Sequence, residues 1–278
     1  MSANARMCAD ASSDPVLSFE DISIGFDMGN ILDGLTFSVA SRETKILIGE
    51  SGSGKTLILK LAAGLIQPDS GSVVMLGHDL GRMSEKALLA FRKGIGFVFQ
   101  EGALFDSLTV AENVAYCLEE DGVREDEIES RVRESLRFVE MEDTLEKYPD
   151  ELSGGMRRRV SIARALVTRP CVVLYDSPTA GLDPVTSQTI IRLILRLRDT
   201  QGVTSLLATH RLQDAFGLAN YRFDAETRQV VPVALNGTSA AAAASTNFVV
   251  LRDGKAYFEG SPKKLAETSD PYLKRFLL

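Results

Sequence analysis

The segment KILIGESGSGKTLILKLAAG, Lys45 to Gly64, decides the fold of this chain. KILIG is a short apolar run of strand character, and LILKLAAG has helical length and composition and stops at Gly64. Between them GESGSGKT satisfies G-x-x-x-x-G-K-[ST] in full. A strand that turns through glycines into a helix aims backbone N–H groups at one point, where the helix dipole favours an anion. Gly49, Glu50, Ser51, Gly52, Ser53 and Gly54 are therefore the expected phosphate cradle. Lys55 is placed to reach the β- and γ-phosphates of a nucleotide, and the Thr56 hydroxyl to ligate Mg²⁺.

Downstream, the helix MRRRVSIARALV, the strand CVVLY, the helix TSQTIIRLILRLRDT, the strand TSLLAT and a helix from about Leu212 alternate. That alternation predicts a mostly parallel sheet in an α/β fold. Upstream, the β-type runs VLSFEDISIGF, LTFSVA and TKILIG, between Leu17 and Ile48, predict an antiparallel β sheet at the start of the chain. From about residue 101 to 165 the character is helical and charged, with Ile128, Val132, Leu136 and Val139 at helical spacing, and this predicts an α-helical subdomain inserted into the core. The expected organisation is a flexible leader over residues 1–15 and a single domain over 16–278, with its core at about 16–100 and 166–278. Residues 224–246 form an Ala/Ser/Thr-rich insertion, read as an exposed loop or hairpin extension. FVVLRDGKAYFEG follows as a hairpin turning at Asp253 and Gly254, and a short helix ends the chain.

Composition narrows the function classes. The 278-residue chain carries a net charge of −7 and has a pI near 5.1, which argues against a general nucleic-acid binder or a polybasic membrane-surface protein. No apolar run approaches the roughly 18 residues of a spanning helix, and MSANARMCADASSDP lacks a signal-peptide core, so a cytoplasmic location is expected. Cys8, Cys117 and Cys171 lack CxxC spacing and only His78 and His210 are available beside them, which disfavours a transition-metal centre.

The remaining motifs separate the many users of a phosphate loop. Asp176 ends the apolar strand VVLYD, where α/β proteins place ligand-binding groups, and is expected to hold Mg²⁺ through water. NKxD is absent, which disfavours a GTPase. ELSGGMRRRVSIARAL, Glu151 to Leu166, places a serine and two glycines at a second helix start. One nucleotide already wrapped by the first loop cannot use that second anion-binding terminus within the same chain, so a second copy of the protein is implied.

With GESGSGKT, GFVFQ, LSGGM, VVLYD, SPTAGLD and ATH in this order, the chain from about Leu17 onward resembles the nucleotide-binding subunits of ABC transporters. The resemblance implies a P-loop NTPase (RecA-like) core, ATP and Mg²⁺ as cofactors, and a homodimer closed around ATP. It implies that Gln100 senses Mg²⁺ and the attacking water, and that Ser153, Gly154 and Gly155 bind the γ-phosphate held by the partner subunit. It further implies that Asp183 lies in the loop coupling the two sites, that His210 contacts the γ-phosphate, and that Phe26 stacks on adenine, a core position being the alternative for that ring. EGALFDSLTVAENVAY and DPYLKRFLL look like the ATPases of the Mla/Mce lipid-transport systems. That likeness implies phospholipid transport, permease subunits at the cytoplasmic face of the inner membrane, and an MCE-domain partner. Leu104, Phe105 and Leu108 are then candidate permease contacts, with core packing as the alternative. An importer of another solute, a lipoprotein-release ATPase and a soluble non-transport ABC ATPase are the other readings.

Ser177 departs from the family pattern, in which a glutamate follows the strand-end aspartate. A hydroxyl does not hold a proton at neutral pH, and a lost general base costs about 10² to 10⁴ in rate. Three readings stay open: slow hydrolysis with His210 or Glu101 assisting, a degenerate site paired with an active partner, or a substitution that traps the ATP state. Nucleotide binding is expected to be intact, because a carboxylate beside the γ-phosphate would repel it.

Overall fold

The computed structural model describes residues 15–26, 29–233 and 245–277. Its first hairpin pairs β1 (Leu17–Phe26) antiparallel with β2 (Gly29–Val39). Leu17, Phe19, Ile22 and Ile24 of β1 are buried between more exposed neighbours, as a strand with one solvated face requires. β3 (Thr44–Ile48) behaves differently, being buried at every position, and leads through the glycine loop into α1 (Lys55–Ala62). β4 (Ser70–Met75) returns antiparallel to β1, and β5 (His78–Asp79) completes a sheet of order β2-β1-β4-β5.

The chain then enters the second sheet. α2 (Glu85–Arg92), which Ser84 caps, precedes β6 (Ile95–Val98). α3 (Val110–Glu120) starts at a Thr109–Glu112 capping box, and α4 (Glu125–Phe138) and α5 (Gly154–Leu166) follow. β7 (Val172–Asp176), α6 (Pro184–Gln201), β8 (Thr204–Thr209) and α7 (Leu212–Asn220) supply the alternation expected from the sequence. The hairpin of β9 (Tyr221–Asp224) and β10 (Gln229–Pro232) stands apart as a two-stranded sheet. β11 (Thr246–Arg252), β12 (Lys255–Gly260), α8 (Pro262–Ala266) and α9 (Pro271–Leu277) end the chain.

The main sheet has order β12-β11-β3-β8-β7-β6, parallel from β11 to β6 with β12 antiparallel at the edge. TKILI thus belongs to this parallel sheet, which corrects its expected place in the antiparallel one. The reason is burial on both faces: Ile46 and Ile48 pack with α3 to α7, whereas Leu47 packs with α1 and the antiparallel sheet. An apolar run without alternation is the mark of such a strand, and the turn-bounded spacing of the first three runs concealed it. The closing segment holds two helices, α8 and α9, where one was expected. The Ala-rich part of the 224–246 insertion and nearly all of the 1–15 leader lie outside the described residues.

Arg198 of α6 fixes the return of the chain after α7. Its buried guanidinium donates to Leu218 O at 2.6 Å and Tyr221 O at 2.9 Å, and pairs with Asp199 at 2.8 Å. Arg198→Ala removes the donor of these carbonyls and leaves the Asp199 carboxylate with the Phe223 N–H at 2.6 Å but no counter-charge, and a stability loss of about 3 kcal/mol is expected in denaturant unfolding.

Candidate functional site

β3 delivers Gly49 to the C-terminal edge of the sheet, where the loop closes tightly on itself. A Cβ on Gly49 would stand 2.5 Å from Ser53 Oγ and 3.2 Å from Leu251. Gly52 and Gly54 take φ of +82° and +90°, conformations open to glycine. α1 begins directly after Gly54, so the loop's N–H groups and the helix terminus share one focus.

Lys55 is buried at this focus. Its Nζ donates to Gly49 O at 2.8 Å, Glu50 O at 2.7 Å and Ser53 Oγ at 3.2 Å. Burial holds the ammonium below the ordinary lysine range, and the charge of Asp176 acts in the opposite sense. A buried cation whose hydrogen-bond partners are neutral loop oxygens retains capacity for an anion, which fits a phosphate group.

The parallel register brings the other predicted residues to the same edge. Asp176 at the end of β7 lies opposite Ala208 of β8, and Ile48 of β3 lies opposite Thr209. Asp176 is 5% exposed. Exposed His210 follows β8, exposed Gln100 lies two residues beyond β6, and exposed Thr56 stands in the first turn of α1. No cluster of three His, Cys, Asp or Glu side chains able to hold a metal occurs among the described residues. A hydroxyl, an amide and one carboxylate instead suit Mg²⁺, which keeps waters and takes its remaining ligands from phosphates.

Ser177 is held in place by its backbone. It adopts φ +45°, its N–H donates to Ala208 O at 2.9 Å, and its Oγ lies 3.5 Å from Asp176 Oδ1. The hydroxyl is thus directed at the Asp176 carboxylate, and the position supplies no general base.

Ser153 caps α5 through its Oγ, which accepts from Met156 N at 3.3 Å. Gly155 lies so close to α6 that a Cβ would meet Thr186 Cγ2 at 2.2 Å, and a Cβ on Gly154 would touch Leu182 at 3.5 Å. No hydrogen bond among the described residues joins Ser153 to Gly49–Thr56. Asp183 caps α6, accepting from Val185 N and Thr186 N at 3.0 Å each, and the Thr186 hydroxyl, followed by these N–H groups, keeps its carboxyl below the usual carboxylate range. The carboxylate is therefore engaged within its own chain. Phe26 is 63% exposed at the turn end of the first hairpin, where it pairs with Gly29, which removes the core reading of that ring.

Arg158 was missed in the sequence. This α5 side chain is 5% exposed and donates to Phe99 O at 2.6 Å and Ala180 O at 3.4 Å, joining the segment before Gln100 to the SPTAGLD loop. Burial pulls its pKa below the ordinary arginine range, and the charges of Asp176 and Glu101 oppose that. The available signal was helical spacing, since Arg158 shares the buried stripe of Gly155, Ile162 and Ala165 within a run of three arginines. A second missed link joins the same loop to the segment after His210. Thr179 Oγ1 donates to buried Asp214, and Arg211 donates to Thr179 O at 3.1 Å and Ser187 Oγ at 2.9 Å.

The ABC transporter family matches residues 32–180, more than half of the chain, across the glycine loop, the second helix start and β7. The chain belongs to the ABC transporter family. It is 37% identical over 207 residues to the methionine import ATP-binding protein MetN of Bifidobacterium longum, covering 72% of this chain and 52% of that protein. It is 41% identical over 200 residues to MetN of Corynebacterium diphtheriae, covering 70% and 59% respectively. The chain thus spans between half and three fifths of these relatives' length. Among solved structures, the dimeric ATP-binding cassette MJ0796 bound to ADP and Pi superposes with a TM-score of 0.73 at 27% identity, covering 88% of this chain and 98% of that one. CbiO1 of Clostridium perfringens, part of the transporter complex cbiONQ, superposes with a TM-score of 0.75 at 27% identity, covering 92% of each chain. This is an ATP-binding cassette, and ATP with Mg²⁺ is its cofactor pair.

The Arg158 bridge is open to a direct check. Arg158→Met removes the guanidinium donor from Ala180 O and from Phe99 O, which keeps the Gly102 N–H at 3.0 Å, with an expected stability loss of about 1 to 3 kcal/mol. Hydrogen exchange should quicken around Phe99 and Ala180, and an unchanged exchange pattern there would remove the bridge.

Proposed function

We propose that this chain is the ATPase subunit of an ABC importer for a small solute, working as two copies beneath permease subunits at the cytoplasmic face of a membrane. The observation that carries this reading is the division of anion-binding groups. The glycine loop, Lys55, Asp176 and His210 share one sheet edge, whereas Ser153, Gly154 and Gly155 open a separate helix with no bond to that loop. A second copy supplies the missing half, its Ser153 terminus facing the γ-phosphate held by the first.

Within this reading Gly49 to Lys55 bind the phosphates, and Thr56, Gln100 and Asp176 hold Mg²⁺, which supplies charge neutralisation at the β- and γ-oxygens. Phe26 stacks on adenine, His210 contacts the γ-phosphate and the loop ending at Asp183 joins the two sites. Ser177 lies where a base is wanted and hydrolysis is slow. Positioning and charge stabilisation from the other groups sustain a residual rate.

The methionine import proteins among the relatives support an amino-acid-sized solute and a solute-binding partner. EGALFDSLTVAENVAY and DPYLKRFLL favour a second reading, phospholipid transport with an MCE-domain partner. For the permease contact, Phe105 is 43% exposed with its ring 4.8 Å from Tyr116, whereas Leu104 packs against the core and Leu108 is half-buried. Phe105 and Tyr116 are the better candidates. Among the described residues no helix is long and apolar enough to cross a membrane, so the membrane-spanning part belongs to other subunits in this reading.

Steady-state ATPase assays test the catalytic half. Lys55→Ala should lose Mg-ATP binding, and Ser177→Glu should raise turnover by about 10² to 10⁴. A wild type already running at tens of turnovers per second, with no gain from the glutamate, overturns the missing-base argument. Ser153→Arg should keep ATP binding but give no ATP-induced dimer on gel filtration, and Phe26→Ala should weaken ATP binding by about tenfold, a stacking contribution of roughly 1 to 1.5 kcal/mol. Uptake of labelled methionine lost on deletion of the gene supports the importer, whereas normal uptake with disturbed envelope phospholipids supports the lipid reading.

A further inference from the structure

The opposite end of the parallel sheet holds a second concave site. The turns before β3, β7 and β8, the second half of α4 and the ends of α5 and α6 enclose a cavity of about 690 Å³. Arg42, Arg131, Arg137, Arg169 and Arg196 line it, against the one carboxylate of Glu134. In a chain of net charge −7 this is a concentrated reversal of sign.

Three of these arginines are engaged locally. Arg131 pairs with Glu127, Arg169 pairs with Glu134 at 2.7 Å, and Arg196 donates to Phe138 O at 3.2 Å with its guanidinium 4.5 Å from the Phe138 ring. The guanidinium groups of Arg42 and Arg137 have no ion pair or hydrogen bond among the described residues. Helix ends account for part of this charge, since α4, α5 and α6 all finish here and cations favour helix C-termini. That explanation covers Arg196, which bonds the last carbonyl of α4, and Arg137, which lies in the last turn of α4, but does not reach Arg42, which lies in a turn between two strands. Arg42 is held there at φ +62°, an unfavourable conformation for a residue with a Cβ, by its N–H donating to Thr204 Oγ1 at 2.9 Å. Its side chain lies over Gly202, where a Cβ would come within 2.9 Å of Nε.

We propose that this cavity binds a small phosphorylated anion of about mononucleotide size, with the Arg42 and Arg137 guanidinium groups as its main donors. The volume lies within the range of small-molecule sites, about 300 to 1,000 Å³. Guanidinium forks match phosphate oxygens in pairs, and the exposed forks of Arg42 and Arg137 gain such a partner in exchange for water, without breaking a bond within the protein. The bound anion joins the turn before β3 to α4. α4 packs on α5, whose other end is the Ser153 terminus, so the ligand steadies the helices that carry that terminus against the sheet.

Calorimetric titration of the full-length Lys55→Ala chain with inorganic pyrophosphate, and separately with AMP, tests this without a contribution from the glycine loop. Saturable binding of at least one of them is expected, weakening as salt rises. Adding Arg42→Glu and Arg137→Glu should weaken it at least tenfold, whereas the paired lysine substitutions should keep part of it. The same charge reversals in the wild-type background should leave Mg-ATP affinity unchanged, which also reports that the chain is folded. Absence of saturable binding at millimolar concentrations, or binding indifferent to the two reversals, overturns the site.

Discussion

The placement of one cation, Lys55, governs the arrangement of the rest. Its ammonium is buried where β3 gives way to α1, and the oxygens that receive its protons belong to the loop that wraps it. Burying that charge carries a desolvation cost, offset in part by Asp176 at the end of β7. The position therefore constrains its neighbours. Gly49 must lack a Cβ for the loop to close, β3 must be covered on both faces to reach this depth, and β7 must lie in register for the carboxylate to arrive. In the proposed reading a phosphate group completes the set with the charge that the protein leaves out.

Around this centre the backbone carries as much of the design as the side chains. Arg158, Thr179, Asp214 and Arg211 tie the segment before Gln100, the SPTAGLD loop and the segment after His210 into one connected network. A displacement at any of these loops is therefore shared by the others. Ser177 sits within the network with a left-handed backbone and a hydroxyl turned toward Asp176. Its geometry supports nucleotide placement and contributes nothing to proton removal. In the proposed reading, binding and loop coupling are retained in this chain, and the proton acceptor is what its site lacks.

Reading residues one at a time reached some positions and not others, for physical reasons. Phe26 was ambiguous because an aromatic ring in a strand suits a core or an exposed platform equally, and only its exposed place at the turn end of the hairpin separates the two. Asp183 was legible as a loop residue, but its use as the cap of α6 depends on the N–H groups of Val185 and Thr186 pointing back at it. Arg158 stands in a run of three arginines, which by itself carries no sign of burial. A buried arginine is tolerated where carbonyls converge on it, and Phe99 O and Ala180 O belong to segments far away in the chain.

The sequence by itself determined the glycine-rich loop, the strand-helix alternation of the core, the aspartate at the end of β7 and the absence of a glutamate at Ser177. These follow from local chemistry, because a glycine-rich turn, an apolar run and a capping residue act over a few neighbouring positions. Tertiary structure decided which sheet β3 joins, since burial on a second face depends on strands contributed from residues beyond 200. It also gathered the five arginines of the far cavity, which are scattered between Arg42 and Arg196 and meet only because the turns before three strands and the ends of three helices converge. Charge that looks dispersed along an acidic chain becomes a concentrated field when folding brings it to one concave surface.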